Sequence, residues 1–276
     1  MNSPPEQTTY TMKDYLIAEA QIHVASQMIS LTGKNLVYKQ SDDSHTTARW
    51  NSEKQLINGR EFILKGNIYT IFIDPIDFAF GMMKNGSETN RVSLNGLTYM
   101  QTVEPWKKWL AEAGFTGDLD LKLHYELPRN ELYKFGAFSK PNEAVLKLWA
   151  KNRTIANGAL QALTEAVNSK SDINIWPHHF DSGTYYELHK TDGATDRSIG
   201  AGFNPADDMV TEPYYYIYGW YKDNEIDYLD KPQLENGKWL VDDWKGAVLP
   251  ITEVKDQSTV DNFFKSTSTY LKSKLK

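Results

Sequence analysis

A chain of 276 residues with no cysteine is long enough for one large domain or two ordinary ones, and it excludes disulfides, thiol nucleophiles and cysteine-ligated metal centres. Its hydrophobic share of 40% and charged share of 24% fit a globular protein with an ample core. The net charge of -6 repels phosphate backbones, so nucleic acid is not an expected partner; Lys272, Lys274 and Lys276 suit a helix C-terminus instead.

Residues 1–11 are polar, carry Pro4 and Pro5, and have neither the cationic start nor the apolar stretch of a secretion signal, which predicts a disordered tail on a cytoplasmic protein. No run approaches the roughly 18 apolar residues of a membrane span. From 14 to 31, Ile17, Ala18, Ile22, Ala25, Met28 and Ile29 keep helical spacing, and Gly33 is the expected stop. Short strands are predicted at 46–50, 61–64, 68–73, 76–82 and 92–94, with turns at Lys65-Gly66-Asn67 and Asn85-Gly86. A helix then begins with Thr102 as N-cap and Pro105 in its first turn, and ends at Gly114. Leu119, Leu121, Leu123, Tyr125 and Leu127 alternate with polar residues, predicting a strand with one dry face.

Residues 128–141 read as a connector, after which the plan repeats: a helix over 142–167, strands at 174–180, 184–189, 198–203, 214–221 and 238–241, and a last helix over 258–272. Val92-Ser-Leu94 before Val103 and Trp106 is echoed by Ala247-Val-Leu249 before Val260 and Phe263. Runs of strands between helices indicate an α+β fold of antiparallel sheets with helices on one face, in a pseudo-duplicated helix–strands–helix layout. The halves, 12–127 and 142–276, form one compact domain or two.

Four elements stand out: Gln21 in the first helix, His45 with Trp50, the run Trp176-Pro177-His178-His179-Phe180-Asp181, and Glu212-Pro213 with Tyr216. In these the chain resembles an uncharacterised bacterial family, a conserved domain of unknown function, over nearly its whole length. The resemblance implies no activity and no catalytic residue.

Strand alternation through 174–180 puts His178 with Trp176 and Phe180 on an apolar face, as a core histidine or a ligand contact. His179 falls on the other face with Asp181 and, without a bulge, with Tyr185, Glu187 and His189. A carboxylate beside an imidazole suits a general base or a metal ligand, and equally a solvated strand face. His45, in the polar run 41–47, is expected to be exposed. The loop 204–212 carries Asp207, Asp208 and Glu212, three carboxylates in six positions that are close enough to converge on a hard cation or a cationic ligand, though Asx-turn chemistry and solvation explain them equally; Glu212, fixed by Pro213 at a strand entry, is the exception.

Tyr214, Tyr216, Tyr218 and Trp220 alternate along one strand and could wall a small-molecule pocket or simply pack. Gly200-Ala-Gly202 lies in a predicted strand and opens no helix, so it is not a phosphate loop. The expectation is a small-molecule pocket walled by Trp176, His178, Tyr214, Tyr216, Tyr218 and Trp220. An enzyme would use His179 as base, Asp181 to orient it and Glu212 to polarise water or hold a cation, for hydrolysis or proton transfer. No metal site or cofactor is assigned. The alternative is a protein–protein interaction module.

Overall fold

The computed structural model describes residues 10–128 and 131–276; most of the predicted disordered tail lies outside them. The helix–strands–helix order occurs twice, around two antiparallel six-stranded sheets. α1 (Met12–Leu36) starts with a capping box in which Thr11 N donates to the Asp14 carboxylate at 2.8 Å and Asp14 N donates back to Thr11 Oγ1. It runs on through the expected stop: a Cβ on Gly33 would lie 2.2 Å from the His45 carbonyl oxygen, so this glycine admits a crossing chain rather than ending the helix.

The first sheet comprises β1 (Arg49–Asn51), β2 (Leu56–Asn58), β3 (Phe62–Leu64), β4 (Asn67–Asp74), β5 (Ala79–Lys84) and β6 (Ser87–Ser93), ordered β1-β2-β4-β5-β6 with β3 also on β4. α2 (Tyr99–Ala113) follows, one turn earlier than expected, because Thr98 rather than Thr102 closes a capping box with Gln101. Residues 119–127 form no strand. Asn35 occupies the backbone groups of Asp120 instead, donating to its carbonyl at 3.0 Å and accepting from its N–H at 2.7 Å, so a side-chain amide of α1 replaces a ladder partner. The connector holds a short α3 (Glu131–Phe135) and the buried Phe138.

In the second half α4 (Glu143–Ala166) is capped by Asn142. The strands are β7 (Asn174–Ile175), β8 (Ser182–Thr191), β9 (Ala194–Asn204), β10 (Tyr214–Tyr221), β11 (Lys238–Leu240) and β12 (Gly246–Pro250), ordered β11-β12-β10-β9-β8-β7, before α5 (Gln257–Lys274). The echoed tripeptides end on the strand leading into α2 and on the strand leading towards α5.

The two sheets meet at their first strands, where Ala48 and Ile175 exchange backbone hydrogen bonds of 3.0 and 2.8 Å. α1 packs on α4, and one apolar cluster joins Ile22, Ile71, Phe80 and Trp106 of the first half to Trp149 and Phe180 of the second. Ala159, Leu160, Tyr215, Ile217 and Phe264 centre a second cluster between α4, α5 and their sheet. Buried on most sides, α1 carries Gln21, His23, Gln27, Ser30 and Thr32 inside the molecule, each with a hydrogen-bond partner.

Each sheet has helices on one face, and the other faces differ. In the first sheet Phe72, Gly81 and Arg91 stand in register across β4, β5 and β6. The Phe72 ring lies over Gly81, and the Arg91 guanidinium sits 5.3 Å from the ring centroid, bonded to Asp74, Asp77 and Glu88. In the second sheet the equivalent face is open. Among the described residues, no helix is long and apolar enough to cross a membrane.

Candidate functional site

The floor of a cleft of about 1190 Å³ is this open face of the second sheet. Alternation along β10 sends Tyr215 and Ile217 into the core and Tyr214, Tyr216 and Tyr218 to the cleft. Opposite Tyr216 and Tyr218, across one ladder step, stand Gly202 and Gly200. A Cβ at Gly202 would lie 2.4 Å from the Tyr216 ring, and one at Gly200 would lie 2.5 Å from that of Tyr218. The Gly-Ala-Gly run therefore has a packing purpose: its glycines let two tyrosines lie down across the sheet, their planes within 22° at 6.3 Å. Trp244 meets Tyr218 edge-on at 6.1 Å from the turn before β12.

Two carboxylates are held by the tyrosine hydroxyls. Tyr216 donates to Asp181 Oδ2 at 2.7 Å, and Tyr214 donates to Asp207 Oδ2 at 2.7 Å. Asp207 also accepts from Asn204 and from the backbone N–H groups of Met209 and Val210, so the Asx turn expected of this loop also delivers a carboxylate to the cleft. Burial pushes the Asp181 carboxyl above its ordinary value, against the lowering by the Tyr216 hydrogen bond and the neighbouring imidazoles. The same burial raises the Tyr216 phenol strongly, and the adjacent Asp181 charge adds to it.

Asp181 ends a tight loop, which corrects the strand expected over 174–180. Phe180 N donates to the Trp176 carbonyl at 2.7 Å, Trp176 N donates to the Asp181 carbonyl at 2.9 Å, and Phe180 has a φ of +64°. Only Asn174 and Ile175 are strand; the alternation fails because the chain turns at Pro177. His178 and His179 therefore do not point to opposite faces. Both line the cleft with ring centroids 4.6 Å apart, and only Phe180 enters the core, stacked on His23 at 4.8 Å. Partial burial lowers the pKa of His178.

The loop is anchored from behind. His23 and Gln27 of α1 donate to the Pro177 carbonyl at 2.8 and 2.9 Å, which fixes the His23 proton on Nε2. Burial pushes the His23 imidazole down to about 4. The buried Arg153 donates to the Phe180 carbonyl at 3.0 Å and to Ser182 Oγ at 2.8 Å, gripping both neighbours of Asp181, and it faces Glu19 at 3.9 Å. Burial lowers the Arg153 pKa and Glu19 opposes that.

The first half supplies the opposite wall through Tyr38, Asp42, His45 and Arg60. His45, expected to be exposed, is buried, because Gly33 lets its backbone press against α1. Arg60 donates to the Ser44 carbonyl, Thr47 and Asn174, pinning this wall to β7.

Two predicted residues lie elsewhere. Glu212 accepts from Thr252 N and Thr252 Oγ1, both at 3.0 Å, securing the turn after β12 rather than facing the cleft. Trp220, 41% exposed, stands beyond Tyr218 at the end of β10, off the cleft wall. The expected alignment of His179, Asp181, Glu187 and His189 does not form either. The ladder shifts register between Glu187 and His189, His189 bonds Asp196 at 2.8 Å, and Asp181 bonds Tyr216 rather than an imidazole. Tyr185 does reach the cleft. The sequence assigns Asn204 and Asp207 to an Asx turn and leaves Trp244 unmarked, and the glycine pair across from two tyrosines was the available signal. Among the described residues no group of three or more His, Asp or Glu is placed to hold a metal ion. Neither family models nor curated proteins nor solved structures match this chain, so function must be argued from the site itself.

Proposed function

We propose that the open face of the second sheet is a small-molecule binding cleft. The observation that carries this is the glycine-floored bed of Tyr216 and Tyr218, which gives a ligand flat aromatic contact with Asp181 at its edge. A folded sheet seldom leaves large side chains over bare glycine unless another body completes the packing. Polar groups at the edge of an apolar wall fix the orientation of what binds. Trp176, His178, His179 and Asp207 complete the lining.

Acid–base chemistry on the bound molecule is the second reading. It is favoured by burial pushing the Asp181 carboxyl up, towards the range where protons move near neutral pH, with the His178 and His179 rings lining the same cleft.

Thermal unfolding against a library of small metabolites tests binding, since a ligand at 100 times its Kd adds about 2.7 kcal/mol, a rise of roughly 5–10 °C. Hits should vanish in Tyr216→Ala and leave Glu212→Ala responsive. No hit in the wild type, with native mass spectrometry showing a bare chain, would shift the weight to a protein-interaction surface. Product formation from a hit, abolished in Asp181→Asn, would select the enzymatic reading.

A further inference from the structure

Resting on that cleft, we infer that its ligand is an organic cation, a protonated amine on an apolar body. The hydrogen-bonding valence of the floor points this way. The hydroxyl protons of Tyr214 and Tyr216 are spent on Asp207 and Asp181. Asp207 is saturated by Tyr214, Asn204 and two backbone N–H groups, whereas Asp181 Oδ1 has no hydrogen-bond partner among the described residues. Tyr218, Trp176 and Trp244 bring donors to the lining, but between the two tyrosine-held carboxylates the floor offers an incoming molecule an open acceptor beside aromatic faces. A phenol that donates to a carboxylate carries more negative charge on its ring, which strengthens attraction for a cation above it.

The charges agree. Four carboxylates, Asp42, Asp172, Asp181 and Asp207, line the cleft with Arg60 and Lys170; Asp172 is paired with Arg49 and Arg60, which leaves Asp42, Asp181 and Asp207 against Lys170. Arg60 is occupied by Ser44, Thr47, Asn174 and Asp172, and Lys170 is exposed. Burial lowers the pKa of both His45 and His178, which disfavours their charged forms.

The first sheet supplies an internal precedent. There the aromatic over glycine, Phe72 on Gly81, is covered by the Arg91 guanidinium, itself held by Asp74, Asp77 and Glu88. Arg91 stands across Gly81 from Phe72, and the position across Gly202 from Tyr216 is Gly183. One half therefore places its own cation over its aromatic and carboxylates, and the other presents the same chemistry with a glycine where the cation would be rooted. An amine in that gap would stand beside the Asp181 carboxylate, whose Oδ2 lies 3.3 Å from where a Cβ on Gly183 would be.

Isothermal titration of the full chain with 2-phenylethylamine, 2-phenylethanol and 3-phenylpropionate separates charge from shape. The amine should bind at least about tenfold tighter than the alcohol, with the carboxylate weakest, and Asp181→Asn should bring the amine down to the alcohol's affinity. Equal affinities for amine and alcohol, or tighter binding of the carboxylate, would overturn the cation assignment and leave the cleft reading standing. Failure of all three at millimolar concentration would overturn both. The wild-type comparison decides the charge preference even if Asp181→Asn fails to fold.

Discussion

Acidification should loosen this protein through a single buried imidazole. His23 is lowered from 6.5 to about 4 because burial disfavours its charged form. Its folded pKa lies below the unfolded one, so the stability it confers is complete above the unfolded value and is lost as pH falls, when the unfolded chain takes up a proton that the native state refuses. Linkage puts the loss at about 2 kcal/mol between roughly pH 7 and roughly pH 5, rising to about 3 kcal/mol below both pKa values. Against a typical total of about 5–15 kcal/mol this is a large share. The loss should also be felt at the cleft, because His23 holds the Pro177 carbonyl and stacks on Phe180. Urea unfolding at both pH values, for wild type and His23→Gln, reads it directly. The variant does not titrate, so its stability difference should be smaller by about 2 kcal/mol. An unchanged difference would refute the assignment to His23, since the burial-lowered His45 and His178 are common to both proteins.

Gly202→Ala places a methyl group 2.4 Å from both the Ser182 carbonyl and the Tyr216 ring, and should cost about 1–3 kcal/mol in urea unfolding. At Gly200→Ala the nearest atoms all belong to the Tyr218 side chain, so the variant should displace that side chain and weaken ligand binding at a smaller cost in stability. Arg153→Met removes the guanidinium 3.9 Å from Glu19 together with both hydrogen bonds that grip the loop, and should destabilise by about 3–5 kcal/mol. Pairing it with Glu19→Gln should recover part of that; a neutral single variant would show that the pair is not holding the loop. Glu212→Ala should lower stability by about 1 kcal/mol through Thr252 while leaving ligand-induced thermal shifts unchanged, and a loss of those shifts would return Glu212 to the site.

The repeated order of elements was legible because it rests on local periodicity, and the strand over 214–221 and the helix over 142–167 agree with β10 and α4 to within a residue. Elements failed where a local signal had another purpose. Gly33 permits a close crossing inside a helix, and the alternation of Leu119 to Leu127 is satisfied by Asn35 rather than by a neighbouring strand. Of the cleft lining, Tyr214, Tyr216, Tyr218, Trp176, His178, His179 and Asp181 were legible because alternation and motif density mark two short stretches, 176–181 and 214–218. Asp207 was discounted, since an Asx turn explains an aspartate equally well whether or not its other oxygen reaches a cleft. Arg60 and the 38–45 wall come from more than a hundred residues away, and no local pattern could connect them to β7.

The two backbone hydrogen bonds between Ala48 and Ile175 make each half the edge protection of the other. Cut within 128–141, either fragment would bare its first strand, together with the faces where α1 meets α4, and would seek another edge to pair with. Two such fragments expressed together have a defined way to heal: they can rebuild the seam, and with it a cleft that neither half holds alone.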